Sequence, residues 1–128
     1  MQEDIINPAT DIYPATPDYV HGLALRGIER MLLVSGTMGL HPAGHAPGSL
    51  DEQLDLIWRN LRRILAEAGM TTDNIVRVTS YLRDARFAEA NQDARLAALG
   101  DRRVPTTAIV VETLSPDWLV EIEIIAAA

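Results

Sequence analysis

The sequence predicts a single-domain α+β fold, in which two helices cover one face of a mixed sheet. The strongest observation is residues 49–69, where apolar side chains recur with the spacing of a helix that buries one stripe. Most of the remaining chain is predicted to form short strands rich in β-branched residues, and these supply the flat apolar surface that the stripe needs. The length of 128 residues fits one domain.

The predicted central helix has signals at both of its ends. Ser49 followed by Glu52 is typical of a capping box at the first turn, and Gly69 suits the left-handed residue that ends a helix. The apolar stripe consists of Leu50, Leu54, Ile57, Trp58, Leu61, Ile64, Leu65 and Ala68.

A second helix is predicted over about residues 86–99, between a capping Asp84 and Gly100. Its apolar side is expected to consist of Phe87, Ala90, Ala94 and Ala97. The predicted strands comprise residues 3–7, 19–26, 31–35, 74–82, 106–111 and 119–126. We expect residues 19–26 and 31–35 to form a hairpin, because only a short segment joins them.

The last predicted strand indicates that the molecule associates with itself. Its side chains alternate between one apolar face and one mixed face. The apolar face carries Val120, Ile122 and Ile124, and the mixed face carries Glu121, Glu123 and Ile125. Two helices cover only one face of a sheet, so the mixed face is expected to pack against another copy in a symmetric oligomer.

Composition and charge exclude several classes of function. The absence of cysteine excludes disulfides, thiolate metal sites and a cysteine nucleophile, and it is typical of a cytoplasmic protein. The net charge of −7, with no basic run, argues against nucleic acid as a partner. No apolar stretch approaches the ~20 residues that span a bilayer, so no membrane association is predicted. His41 and His45 lack a third ligand nearby, and we predict no metal site.

Several motifs, in their order and spacing, resemble the reactive-intermediate deaminase family (Rid, also called YjgF or endoribonuclease L-PSP). The resemblance extends from about residue 19 to residue 126. The motifs are Ser35-Gly36, Gln53, Asn60-Leu61, Ala68-Gly69, Asp73-Asn74-Ile75-Val76, Val78-Thr79, Tyr81-Leu82, Asp84, residues 87–91 and Leu119-Val120-Glu121-Ile122-Glu123.

This resemblance implies a chorismate-mutase-like fold, a homotrimer and small-ligand clefts between its subunits. Active members of the family hydrolyse enamines or imines to ammonia and a 2-keto acid, without a metal or a cofactor. The cleft would be lined by Tyr19, Ser35, Gly36, Asn91, the segment 105–107 with Thr106 and Thr107, and Glu121. Glu121 would activate water, as a carboxylate of suitable pKa can.

One departure from the family puts the usual 2-imino acid substrates in doubt. Active members carry an arginine just after the proline of the penultimate strand, where its fork binds the substrate carboxylate. Here Thr106 and Thr107 follow Pro105. Losing such a pair typically costs about 2–5 kcal/mol of binding free energy. Arg102 and Arg103, just upstream, stay open as replacements.

Two functions from different classes therefore remain open. One is a hydrolase or deaminase acting on a small imine-like or amide-like metabolite, and the other is a non-catalytic trimer that binds a small metabolite. At single positions, Glu121 is otherwise a solvated or ion-paired strand residue, and Asn91 otherwise caps local backbone. Tyr19 and the two threonines are otherwise ordinary strand residues.

Overall fold

Four strands form the central mixed sheet of the computed structural model, which describes residues 1–128. The strands are β1 (Gln2–Ile6), β2 (Gly22–Arg26), β3 (Met31–Met38), β4 (Ile75–Leu82), β5 (Thr106–Val110) and β6 (Val120–Ala127). The helices are α1 (Leu50–Glu67) and α2 (Ala88–Leu99). The central sheet has the order β3-β6-β4-β5, with β4 and β5 parallel and the other pairs antiparallel. The predicted α+β architecture is confirmed.

Helix α1 begins and ends where the sequence predicts. The Ser49 hydroxyl accepts a hydrogen bond from the Glu52 amide at 3.2 Å, and Gly69 adopts a φ of +69° just beyond the helix. The predicted stripe is wrong at Ile64, whose side chain is 38% exposed. Gln53 is buried instead, because its amide donates to the Pro47 and Asp117 carbonyls and accepts from the Leu119 amide.

Helix α2 starts later than predicted, and its predicted apolar side packs on the core at Ala90 and Ala94 but not at Ala97. Asp84 caps a short 3-10 turn over Ala85–Phe87, and the α-helix follows that turn. The buried residues of α2 are Asn91, Arg95, Ala98 and Leu99, whereas Ala97 is exposed. The predicted alanine face is wrong at Ala97 because Arg95 finds a partner on the protein side. Its guanidinium pairs with Asp18 at 2.8 Å.

The predicted hairpin between residues 19–26 and 31–35 is wrong. β2 pairs with β1 in a separate two-stranded sheet, and β3 pairs with β6. Backbone hydrogen bonds from Glu29 and Arg30 to the Ala128 carbonyl direct the chain into the central sheet. Contacts distant in sequence therefore decide the pairing.

The two faces of the central sheet differ as the last strand predicts. Val120, Ile122 and Ile124 are buried against the helices. The opposite face, called the open face below, carries Met31, Leu33, Ser35, Arg77, Thr79, Tyr81, Thr107, Ile109, Glu121, Glu123 and Ile125. Leu33 is 71% exposed and Ile109 is 44% exposed. Neither helix combines the length and the apolar character that crossing a bilayer requires.

Candidate functional site

A β-bulge in β3 brings Gly36 against the Glu121 carboxyl group. The register between β3 and β6 shifts between Val34 and Thr37, which places Ser35 and Gly36 in the bulge. A Cβ atom at Gly36 would lie 2.9 Å from Glu121 Cδ and closer still to Oε2. Any side chain here would therefore displace the carboxyl group, and glycine is the residue that fits.

Glu121 lies in a cleft of about 230 Å³ at this end of the open face. The cleft is lined by Gly36, Tyr81, Val111, Glu112, Thr113, Leu114, Glu121 and Glu123. The Tyr81 hydroxyl donates a hydrogen bond to Glu123. No side chain of the protein donates to the Glu121 carboxylate. Of these two neighbouring carboxylates, Glu121 is therefore the one free to bind water or a ligand.

The cleft raises the pKa of the Tyr81 hydroxyl above its ordinary value of 10.0. The hydrogen bond to Glu123 is the main cause, because it stabilises the protonated phenol; burial and the negative charges of Glu123 and Glu121 act in the same direction. Tyr81 therefore stays a hydrogen-bond donor at neutral pH.

The two threonines of β5 face different partners. The Thr106 hydroxyl donates to the Val104 carbonyl at 2.9 Å, so it is occupied by its own backbone. The Thr107 hydroxyl lies on the open face and accepts from Arg77 Nη2 at 3.3 Å. Thr107 is thus the better placed of the two to contact a ligand.

Within one chain, Thr107 lies far from Glu121. Pairing places Thr107, Thr79 and Glu123 side by side on three adjacent strands. A strand spacing of ~4.8 Å and a rise of ~3.3 Å per residue then separate the Thr107 and Glu121 Cα atoms by about 12 Å. The candidate residues on β5 and β6 therefore do not line one small cleft of a single chain.

Tyr19 and Asn91 lie around helix α2, apart from the Glu121 cleft. The buried ion pair between Asp18 and Arg95 fixes the segment before β2 on this helix. The Tyr19 ring packs edge-to-face on His21, with 5.7 Å between centroids. Asn91, one turn before Arg95, is 3% exposed, and its Oδ1 atom has no hydrogen-bond partner.

The pKa of the Asp18 carboxyl group is lowered from its ordinary value of 3.8. Burial by itself would raise this pKa, but the hydrogen bonds from Thr16 and Arg95 outweigh the effect of burial.

Arg102 and Arg103 do not replace the missing arginine. Arg102 donates to both carboxylate oxygens of Glu3, at 3.0 and 3.2 Å, and to the Ile75 carbonyl. Arg103 donates to the carbonyl groups of Pro17, Gly100 and Arg102. Both guanidinium groups are occupied by structural partners away from Thr107.

Sequence reasoning misses Arg77 and Tyr81, which the structure places on the open face beside the candidate residues. The alternation along β4 could have identified them, because Val78, Ser80 and Leu82 are buried and the residues between them point to the open face.

In the Gly/Pro loop, the His41 and His45 rings lie 4.6 Å apart. No group of three or more His, Cys, Asp and Glu side chains is arranged to hold a metal ion.

Sequence and structure comparisons agree on one family. A family profile described as Endoribonuclease L-PSP matches residues 10–128. A RutC family protein of Pyrococcus abyssi is 31% identical over 102 residues, which cover 77% of this chain and 80% of that protein. A RutC family protein of Aquifex aeolicus is 37% identical over 67 residues, which cover 51% of this chain and 54% of that protein.

The fold comparison covers the whole chain. The crystal structure of YyfB, a Yersinia pestis protein of the conserved Rid family, covers 100% of both chains with a TM-score of 0.82 and 24% sequence identity. That likeness concerns the fold, while the profile and the archaeal relative concern the sequence. Together they establish that this chain belongs to the Rid family, the family of YjgF and endoribonuclease L-PSP proteins.

Proposed function

We propose that the chain is a cofactor-independent hydrolase that deaminates a small imine, enamine or related metabolite in clefts between the subunits of a cytoplasmic homotrimer. The observation that carries this proposal is the Glu121 carboxylate, which lies over Gly36 at the end of an open cleft and has no hydrogen-bond donor in its own chain. Such a carboxylate is available to accept a proton from water.

The separation of the candidate residues supports a cleft between subunits. Ser35, Gly36 and Glu121 lie at one end of the open face, whereas Thr107 lies about 12 Å away. A metabolite of a few carbon atoms spans both groups only if they come from different copies. Leu33 and Ile109 are exposed on the same face and give that association its apolar contact. The number of three subunits is inferred from the family alone.

The proposed reaction is addition of water to a C=N bond. Glu121 accepts a proton from water while the water oxygen bonds to the imine carbon, and it then passes this proton to the nitrogen, which gives a carbinolamine. Glu121 next takes the proton of the carbinolamine hydroxyl and delivers it to the nitrogen as the C=O bond forms and the C–N bond breaks. One imine and one water therefore give one carbonyl product and one ammonia, and Glu121 ends as the carboxylate. Of the predicted ligand-binding residues, Ser35, Gly36 and Thr107 would position the ligand on the open face. Tyr19 and Asn91 lie apart from the Glu121 cleft of their own chain, and the Thr106 hydroxyl is already bonded to the Val104 carbonyl.

A second candidate function is binding of a small metabolite without chemistry. The observation that favours it is the replacement of the family arginine by threonine, together with the hydrogen bonds that hold Arg102 and Arg103 elsewhere in the chain.

Ribonuclease activity, which the family description suggests, is not proposed. The cleft carries the carboxylates of Glu112, Glu121 and Glu123, which would repel phosphate.

Ammonium release tests the proposal. 2-Iminopropanoate and 2-iminobutanoate generated in situ would be incubated with the wild type, with Glu121→Gln and with Glu89→Gln, a matched variant of an exposed glutamate on α2. For each of these substrates that the wild type hydrolyses, we expect Glu89→Gln to accelerate release equally and Glu121→Gln to lose roughly 100-fold or more, as general-base removal typically does. Acceleration that is equal in all three proteins would refute the role of Glu121. No release by the wild type, with an active relative working alongside, would favour the binding function.

A further inference from the structure

Arg77 is an arginine whose guanidinium is largely uncommitted. It lies on the open face in β4, opposite Ile125 of β6, and its side chain is exposed. Its one hydrogen bond is from Nη2 to the Thr107 hydroxyl. An arginine has five N–H donors, so most of those of Arg77 remain available.

No carboxylate forms an ion pair with Arg77. The ion pairs of the chain involve five other arginines, namely Arg26, Arg63, Arg86, Arg95 and Arg102. Glu123 lines the same cavity of about 200 Å³ as Arg77, together with Leu33, Thr79 and Ile125. The Glu123 carboxylate accepts from Tyr81 instead, while the Arg77 guanidinium extends the other way, toward β5.

This position is informative because Thr107 is where the chain departs from the arginine of its family. The Arg77 guanidinium, supplied by the neighbouring strand, lies within 3.3 Å of the Thr107 hydroxyl. Planar N–H pairs of this kind bind carboxylates through two parallel hydrogen bonds. The positive charge is thus present beside position 107, although it comes from a different residue.

We infer that Arg77, together with the Thr107 hydroxyl, binds the carboxylate of a small organic acid on the open face. This inference rests on the proposed function for the identity of the site. It deepens that function by naming the group that would recognise an anionic substrate. About 12 Å separates Thr107 from Glu121 in one chain, so the bound acid would react with Glu121 of another copy. The ligand class is a 2-keto or 2-imino acid of a few carbon atoms.

Direct binding tests Arg77 independently of turnover. The dissociation constant of 2-oxobutanoate would be measured by calorimetry for the wild type, for Arg77→Gln and for Arg59→Gln, which removes the same charge from an exposed position on α1. We expect Arg77→Gln to weaken binding about 10-fold or more, and Arg59→Gln to leave it unchanged. Equal affinities for the wild type and Arg77→Gln, or no binding by the wild type, would overturn the inference.

Two further variants keep the inference testable if Arg77→Gln perturbs assembly. Arg77→Lys keeps the positive charge but loses the planar fork, and we expect it to bind with intermediate affinity. The double variant Arg77→Gln/Thr107→Arg returns a guanidinium to the same place, and we expect it to recover most of the affinity. Failure of both variants to behave in this way would count against Arg77 as the binding group.

Competition and turnover separate this inference from the proposed function. Inorganic phosphate that displaced 2-oxobutanoate with equal affinity would overturn the assignment to a carboxylate. If the wild type binds 2-oxobutanoate through Arg77 but releases no ammonium from 2-iminobutanoate, the proposed hydrolysis fails while the inference stands. If ammonium release by Arg77→Gln equals that of the wild type, the inference fails while the hydrolysis stands.

Discussion

The two faces of the central sheet differ in what they contribute, although the same strands supply both. On the helix side, Val78, Ile122 and Ile124 are at most 1% exposed and form the core. On the open face, Arg77 and Glu121 sit among exposed apolar residues. Alternate residues of one strand therefore form the core on one side, and the candidate site with the proposed association surface on the other.

The largest expected effect comes from comparing neighbours on β6. Ile122→Ala removes a fully buried side chain and is expected to lower the free energy of unfolding by about 2–5 kcal/mol at any protein concentration. Ile125→Ala, on the open face, should weaken the proposed association, so that its loss of stability grows as the protein concentration falls. Urea denaturation at several protein concentrations measures both. Equal, concentration-independent losses would show that the two faces do not differ as described.

A smaller effect, on activity rather than folding, is expected at the bulge. Gly36→Ala places a methyl group where the Glu121 carboxyl group lies and should lower kcat/KM by about 100-fold. Gly48→Ala is the matched control, since a Cβ atom there meets nothing within 4 Å. Steady-state ammonium release compares the two variants. Unchanged activity in Gly36→Ala would mean that the position of Glu121 does not matter for turnover.

The smallest expected effect concerns the titration of Tyr81. Because its pKa is raised, the stability that its protonated form contributes is fully present below about pH 10 and is lost as the pH rises through the raised value. Glu123→Gln replaces the charged acceptor by a neutral amide oxygen, which weakens this hydrogen bond and removes the negative charge, so the pKa of Tyr81 should fall toward its ordinary value. Ultraviolet difference spectra of the phenolate during alkaline titration measure this. An unchanged midpoint in Glu123→Gln would contradict the assigned cause.

Local patterns determined the parts of the fold that depend on neighbours in the sequence. The stripe and the caps of α1 follow from residues within one or two turns, and they place that helix correctly at both ends. The alternation of Ile122 and Ile124 with Glu121 and Glu123 likewise predicts the two faces of β6. Side-chain periodicity is set by backbone geometry, which explains why the sequence alone is sufficient here.

For the candidate site, the sequence named Ser35, Gly36 and Glu121, which the fold brings together. These three residues were predicted from sequence motifs that resemble those of the family. It did not predict that the Thr106 hydroxyl is occupied by the Val104 carbonyl, nor that Thr107 is joined by Arg77. Those hydrogen bonds depend on which strands pair and on the directions of the side chains there, and amino-acid composition specifies neither.

Only the tertiary structure decided the contacts between distant segments. β2 pairs with β1 rather than β3, Asp18 makes Arg95 a buried residue of α2, and Arg77 rather than Arg102 or Arg103 meets Thr107. Each of these choices joins residues separated by many positions, where several partners satisfy the same local pattern. Packing and hydrogen bonding over the whole chain select one of them, because each buried polar or charged group left without a partner costs free energy.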